Sequence, residues 1–226
     1  MRKFVVTDAQ GVTANGTRIE PGKLTHTVGA ANDVCSRVAK LCADSPLLAA
    51  LQNPSTSPDA GKRLFQIDQW EVSMTSDQPR AYTVIKEVPF QEVSPQQKLV
   101  FAILTLAEVY GDPLYVKWSN GWLSGADRGA TAAHIIEQAA LKEIAAADTL
   151  EALQAHGDIS QKDLQATGEK ANYAKRVIAA TRAAQLAANN DPASQAEVVK
   201  LAVMATVALA RTRSTGARLP RARTQS

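Results

Sequence analysis

The spacing of His134 and Glu137 is the pattern in this sequence that comes nearest to a metal-binding site. Residues three apart on a helix share a face, so an imidazole and a carboxylate could bind one cation together. Metal proteins of the ferritin type repeat such a pair on a second helix and add further glutamates. Because the sequence has no second pair of that kind, we interpret these residues as a partly exposed helical pair and predict no metal site.

Spacings for nucleophilic or phosphate chemistry are missing as well. The chain has no nucleophile elbow, phosphate-binding glycine loop or dinucleotide-binding fingerprint. Ser124 lies in a Gly-Trp-Leu-Ser-Gly segment between two predicted helices, where a turn is the simpler interpretation. We therefore predict no catalytic residue, no cofactor and no enzyme. The alternative is an unrecognised enzyme that assembles its site from isolated polar residues such as Arg128, His134 and Glu137.

A basic cluster at the C-terminal end gives the clearest electrostatic signal. The last sixteen residues contain five arginines and no acidic residue: Arg211, Arg213, Arg218, Arg221 and Arg223. The other 20 basic residues face 22 acidic ones, so the rest of the chain has a formal charge of −2. Because Gly, Pro, Ser and Thr separate these arginines, residues 211–226 are expected to form a flexible basic tail. Such a tail could bind the phosphates of nucleic acid without reading their sequence; a solvated end without a ligand is the other interpretation.

The composition is ordinary for a globular protein, with 45% apolar and 21% charged residues among 226. No apolar run approaches 18 residues, and the apolar run near Met1 is too short for a secretory signal, so we expect a cytoplasmic protein without a membrane partner. Cys35 and Cys42 lie seven apart on one predicted helix, which separates them by roughly 10 Å and excludes a disulfide. We interpret both as small buried side chains.

The elements that must position these residues divide the chain by character. Residues 1–92 alternate short apolar runs with turn signals, which predicts one or two hairpins and a helix. Residues 93–210 predict helix almost throughout, and alanine supplies 26 of the 85 residues from 126 to 210. The predicted fold class is therefore mainly α: an alanine-rich helical bundle with a small N-terminal α+β portion, followed by the tail of residues 211–226.

Turn signals define the N-terminal elements. The pair Asn15-Gly16 predicts a first hairpin in which residues 4–6 pair with residues 17–19. Residues 31–52 predict a helix that its proline splits. Two strand-like runs lie on either side of residues 76–79, Ser-Asp-Gln-Pro, and predict a second hairpin with its turn there.

Capping residues divide the helical part. Predicted helix starts carry an N-capping side chain: Ser94, Asp127, Asp148, Ser160 and Ser194. The segment after Ser94 is apolar on most of its circumference, which indicates a buried helix. Tyr115, Trp118 and Trp122 form an aromatic stripe that we interpret as core rather than as a binding platform. The third helix is expected to run from Asp127 through Ile135, Ile136, Ala140 and Ile144.

The sequence contains the run Leu-Ala-Glu-Val-Tyr-Gly-Asp-Pro at residues 106–113, followed by Trp118, Trp122-Leu-Ser-Gly125 and Ala132-Ala133-His134. This stretch resembles alanine-rich helical proteins of bacteria and phages. Some of those proteins are described as immunity proteins. The resemblance implies a helical interaction protein of bacterial or phage origin, located in the cytoplasm or, if phage-derived, in the virion. It implies no catalytic residues.

Alanine-rich helices favour a binding function over a catalytic one. Each buried methyl contributes little free energy, so such helices must pack closely against each other or against a partner. The final helix, from Val198 to Leu209, is apolar nearly all round and is either the centre of the bundle or partly an interface. We predict a non-enzymatic protein-binding or assembly component that associates with a protein partner or itself. Its predicted interface residues are Val199, Val203, Met204 and Val207.

If the tail binds nucleic acid, the full chain should retain DNA and RNA at low salt and release them as salt rises, because each arginine–phosphate contact displaces a counterion. Deletion of residues 211–226 should abolish this binding, as measured by fluorescence anisotropy at two salt concentrations. Equal binding by the truncated chain would exclude the tail.

Overall fold

The computed structural model describes residues 2–26, 38, 41–53, 61–73, 76–154, 160–189 and 191–206. The elements in chain order are β1 (Arg2–Thr7), β2 (Leu24–His26), α1 (Pro46–Gln52), β3 (Arg63–Ser73), β4 (Ser76–Val88), α2 (Pro95–Tyr110), α3 (Pro113–Ser124), α4 (Ala130–Gln154), α5 (Gln161–Leu186) and α6 (Pro192–Thr206). This order confirms a mainly helical protein with a small N-terminal α+β portion.

The N-terminal strands form one antiparallel sheet in the order β1-β3-β4-β2. Its buried face carries an apolar cluster: Val5, Ile19, Val38, Phe65, Ile67, Tyr82 and Val84. The predicted second hairpin is confirmed as β3 and β4, but its predicted turn is wrong, because residues 76–79 belong to β4 and Pro79 faces Val72. The described part of β2 pairs with β4 at residues 81–83, and none of the described residues pairs with Pro79 on that side of β4.

The predicted first hairpin is wrong in its pairing. β1 pairs with β3 and not with residues 17–19. The Asp8 side chain accepts hydrogen bonds from the backbone N–H groups of Gln10 and Val12, which turns the chain directly after β1. The turn at Asn15-Gly16 does form, inside a compact loop where Thr13 N–H donates to the Thr17 carbonyl over 2.8 Å.

Pro46 begins a helix. The Ser45 hydroxyl caps α1 by accepting from Leu48 N–H over 3.1 Å, and Pro46 takes the first helical position, where its missing N–H is not needed. The proline begins α1 as a separate helix, but residues 41–45 are not helical, contrary to the predicted helix over residues 31–52: Ala43 instead exchanges backbone hydrogen bonds with Phe4. Most of residues 31–40 lie outside the described residues.

The capping box at the start of α2 is confirmed. Gln97 N–H donates to the Ser94 hydroxyl over 3.2 Å, and the Gln97 side-chain oxygen accepts from Ser94 N–H over 2.8 Å. α2 and α3 each end at a glycine in the left-handed region, Gly111 with φ 63° and Gly125 with φ 80°. Asp112 caps α3 through Tyr115 N–H.

Three predicted helix starts are wrong: α4 begins at Ala130, three residues after Asp127, and neither Asp148 nor Ser194 begins a helix. α4 continues through Asp148 to Gln154, because alanine and other good helix formers surround that aspartate and no glycine or proline interrupts them. α6 begins two residues before Ser194, with the Asp191 carboxylate accepting from Ser194 N–H over 2.9 Å. A capping-box spacing therefore does not begin a helix where a helix already runs through it.

The bundle packs around one buried cluster that draws on α2 to α6. Its buried members among the described residues are Leu99, Ala102, Ile103, Leu106, Tyr115, Trp118, Trp122, Ala133, Ile136, Ala140, Ala174, Val177, Ala179, Ala180, Ala183, Ala184, Val198, Ala202 and Ala205. Ten of these nineteen are alanines, most of them on α5 and α6. The large side chains come mainly from α2 and α3, so these helices fill the space that alanines leave.

The α+β portion meets the bundle at a buried lysine. Lys98 in the first turn of α2 is buried, and its Nζ lies 3.5 Å from the carbonyl oxygen of Asn53 at the end of α1. This contact joins the two parts whose boundary we predict near residue 92. Their division into separate domains stays a prediction.

α2 buries one face and exposes the other, unlike the helix predicted. Leu106 is fully buried, whereas Leu104 is 48% exposed. We expect Leu106→Ala to lower the free energy of unfolding by about 2–5 kcal/mol, because it leaves a cavity. Leu104→Ala, the control on the same helix, should change it by less than about 1 kcal/mol. Urea denaturation measures both values, and equal losses would contradict this orientation of α2.

Candidate functional site

Glu137 forms an ion pair between two helices, and His134 lies beside it on the same helix. The Glu137 carboxylate is nearly buried, and its Oε1 accepts from Arg182 Nε of α5 over 2.7 Å. His134 is exposed, and its Nδ1 lies 4.0 Å from Glu137 Oε2. Within the described residues, no group of three His, Cys, Asp or Glu side chains could hold a metal ion. The described partner of Glu137 is therefore an arginine that neutralises its charge.

Arg128 fixes the chain between α3 and α4. Its Nε donates to the Trp122 carbonyl over 3.0 Å, and its guanidinium lies 4.9 Å from the centre of the Trp122 ring. Asp127 accepts from Gly129 N–H, so it shapes the turn just before α4. The Ser124 hydroxyl donates to the Gly121 carbonyl within α3. Asp127 and Arg128 shape the turn, whereas Ser124 is the last residue of α3 and does not lie between the helices as predicted; Arg128 and Glu137 each bind a different partner.

The aromatic stripe lies in the core. Tyr115, Trp118 and Trp122 are buried and belong to the cluster of the bundle. The Tyr115 hydroxyl donates to the Ile103 carbonyl over 3.3 Å, and its ring packs edge-on against Tyr110. This confirms the prediction of core packing over an exposed binding platform.

A polar network connects α2, α4 and α5. The Tyr110 hydroxyl donates to Glu143 Oε2 over 2.7 Å, and Lys170 Nζ lies 2.6 Å from Glu143 Oε1. Burial, and then the Glu143 carboxylate, raise the pKa of the Tyr110 phenol. A phenol held in its protonated form donates a hydrogen bond and is a poor base. The network therefore clamps three helices rather than activating a nucleophile.

Cys42 is also held unreactive. Its sulfur donates to the Val38 carbonyl over 3.1 Å, and burial raises the pKa of the thiol to about 12. Because the thiolate is the reactive form, this cysteine is a weak nucleophile at neutral pH. Cys35 lies outside the described residues.

The feature that fits a binding function is the outward face of α4. Residues on this face recur at spacings of four and three, and all of them are exposed: Thr131, Ile135, Gln138, Lys142, Ala145, Thr149 and Ala152. Beside them, Leu141, Ala146 and Leu153 are exposed as well. We call these ten residues the α4 stripe. Lys142 is its one permanently charged member.

The low charge belongs to the stripe and not to all of α4, whose other exposed residues include His134, Asp148 and Glu151; the neighbouring helix carries more exposed charge. α5 packs against α4, and its exposed residues include many charged side chains: Lys162, Asp163, Glu169, Lys170, Lys175 and Arg182. Depletion of charge is the compositional mark of the core of a protein interface. The α4 stripe carries this mark, and the exposed face of α5 does not.

Sequence reasoning missed the stripe because it named Ile135 and Ile136 together on the third helix and assigned neither of them to a face. Ile135 is 55% exposed, and its neighbour Ile136 is buried. The repeat of four and three from Thr131 to Ala152 is readable in the sequence, but periodicity alone cannot say whether such a face points inward or outward. The alternating burial of α4 against α5 decides that orientation.

The residues predicted as an interface on the last helix lie in different surroundings. Val203 is 3% exposed and therefore buried in the protein itself, Val199 is half-buried, and Met204 is 56% exposed. Val207 lies outside the described residues, as do Arg211, Arg213, Arg218, Arg221 and Arg223. Met204 alone is an exposed side chain among the described members, and nucleic-acid binding by the arginines stays a prediction.

The buried phenols predict how stability changes in alkali. Burial raises the pKa of Tyr115 and is the largest cause of the raised pKa of Tyr110, so both stay protonated in the folded chain where unfolded tyrosines ionise. The free energy of unfolding should therefore fall as pH rises above about 10. Tyr115→Phe should make this decline shallower, by about 1 kcal/mol at pH 11. Urea midpoints from pH 8 to 11 measure it, with Leu104→Ala as the control; an unchanged slope in Tyr115→Phe would contradict the expectation.

No helix in the described part of the chain is long and apolar enough to cross a membrane. No protein-family model, curated protein or solved structure matches the chain. The function is therefore inferred from the surfaces and contacts of this protein itself.

Proposed function

We propose that this protein is a non-enzymatic protein-binding or assembly component, and that the α4 stripe is its binding surface. Its bacterial or phage origin rests on the resemblance of the segment around Trp118 and Trp122. The observation that carries the proposal is the run of ten exposed residues on α4 with a single permanent charge.

The composition of the stripe makes binding favourable. Ile135, Leu141 and Leu153 are each about half exposed, and covering them would contribute about 1 kcal/mol apiece. The small side chains between them let a partner approach the α4 backbone closely. Lys142 can lie along the surface with its ammonium group in water, whereas Thr131, Gln138 and Thr149 need hydrogen-bond partners in the complex to offset their desolvation.

The opposite face of α4 makes the stripe a rigid platform. Glu137 is paired with Arg182, and Glu143 with Lys170, so two interhelical ion pairs attach α4 to α5. Ile136 and Ala140 on the same side are buried in the core of the bundle. A helix that is already ordered loses little conformational entropy on binding, which favours affinity.

Charges placed on the stripe should abolish binding. We expect the double variant Ile135→Glu with Leu153→Glu to lower affinity at least tenfold, because the partner must then bury two carboxylates. Because both side chains are exposed, the free energy of unfolding should change by less than about 1 kcal/mol. Co-purification from source-cell extract and light scattering measure binding to other proteins and to itself.

Leu114→Glu is the matched control, since Leu114 is exposed to a similar extent but lies on α3. It should bind as the wild type does. The proposal fails if the double variant keeps every association of the wild type, or if the wild type has none.

A further inference from the structure

We infer that the α4 stripe binds a second copy of this chain, with the two α4 helices antiparallel about a two-fold axis that passes between residues 143 and 144. The inference rests on the proposed function and names its partner. The residues of the stripe complement those of a second α4 helix that runs in the opposite direction.

The spacing of the stripe is that of a coiled-coil seam. Residues that alternate at intervals of four and three stay on one side of a helix over its whole length. The stripe holds this spacing from Thr131 to Ala152 without interruption. Two helices can therefore contact each other along the seam from Ile135 to Ala152, and in an antiparallel pair each of these seam residues faces a different residue of the second copy.

That pairing places a larger side chain opposite a smaller one at each central level. About an axis between residues 143 and 144, Ile135 faces Ala152 of the second copy and Lys142 faces Ala145 of the second copy. Gln138 faces Thr149 of the second copy, which puts an amide beside a hydroxyl. Two-fold symmetry repeats each of these pairs, so one sequence supplies both halves of the match. The alanine levels allow the helix axes to approach to about 8 Å.

Charge disfavours the parallel arrangement. Parallel helices in register would place each seam residue against its own copy, so Lys142 would face Lys142 of the second copy, and two like charges would oppose each other in a seam with no other charge. In the antiparallel pair, Lys142 faces a methyl group instead. The exposed carboxylate of Asp148 lies one turn beyond Ala145 on the flank of the stripe, where it offers a countercharge for the Lys142 ammonium of the second copy.

The size of the stripe sets the strength of the dimer. The part of the seam that pairs about this axis runs from Ile135 to Ala152, about 26 Å long and about 10 Å wide, so its footprint of about 260 Å² per copy is below that of a standard stable interface and fits a weak, transient dimer. We therefore expect a dimer that forms at micromolar or higher concentration and dissociates on dilution. No catalytic group or ligand is needed for it.

Cysteine cross-linking tests the orientation. When the Ile135→Cys chain is mixed with the Ala152→Cys chain under mild oxidation, a disulfide-linked dimer should accumulate well above that of either variant alone. Wild type, which contains Cys35 and Cys42, gives the background, and Leu114→Cys gives the value for an exposed position outside the stripe. Preferential self-linking of Ile135→Cys would indicate the parallel arrangement and overturn the inference.

Light scattering over a range of concentrations tests the dimer itself. The mass of the wild type should rise from 24.1 kDa toward twice that value as concentration increases. Ile135→Glu should remain monomeric, and Lys142→Leu should dimerise at lower concentration because it replaces the one charge of the seam by an apolar side chain. The second variant gains an association, so loss of folding cannot imitate its expected result.

The outcomes separate this inference from the proposed function. A wild type and a Lys142→Leu variant that both stay at 24.1 kDa up to several hundred micromolar would overturn the second copy as partner. If the charged double variant then still loses co-purification with another protein, the binding function stands with a different occupant. A dimer that persists in Ile135→Glu would place self-association on another surface and also overturn the inference.

Discussion

Close approach of helix backbones, made possible by methyl side chains, is the constraint on which this bundle depends. Ala174, Ala180 and Ala183 on α5 are fully buried, as are Ala202 and Ala205 on α6. A buried methyl contributes about 0.8 kcal/mol, whereas fixing one residue of backbone costs about 1–2 kcal/mol. Alanine contacts therefore cannot hold short helices together. The bundle therefore needs long helices and the larger side chains of α2 and α3 to offset the entropy cost of ordering the backbone.

The polar contacts between α4 and α5 complement this packing. An alanine interface is smooth, and smooth surfaces can slide past each other more easily than surfaces with interlocking large side chains. The pairs Glu137–Arg182 and Glu143–Lys170 tie the two helices at separate positions, and Tyr110 joins the second pair to α2. Partly exposed ion pairs add little to stability, so we interpret them as setting the relative position of the helices.

The helix ends were predictable because capping residues act locally, whereas strand pairing and the orientation of α4 depend on residues far apart in the sequence. Ser94, Gly111 and Gly125 act within one turn of backbone, so the sequence around them determines the helix ends. Asp148 fails as a start because a helix already formed around it outweighs one capping hydrogen bond. The pairing of β1 with β3 joins residues about sixty apart, and the two-sided apolar pattern of α4 does not tell which side faces α5. The α4 stripe therefore became visible only once Ile135 was placed outside.

Folding alone does not explain the outward face of α4. Its inward face already supplies the contacts with the core, through Ile136 and Ala140. Helix propensity would be served equally well by lysine, glutamate or arginine at the exposed positions, and these residues also keep a surface soluble. α5 has charged residues of this kind along its exposed face. α4 departs from this pattern only along the stripe, since Asp148 and Glu151 of the same helix are exposed and charged. The proposed partner would account for this difference between the stripe and the exposed face of α5.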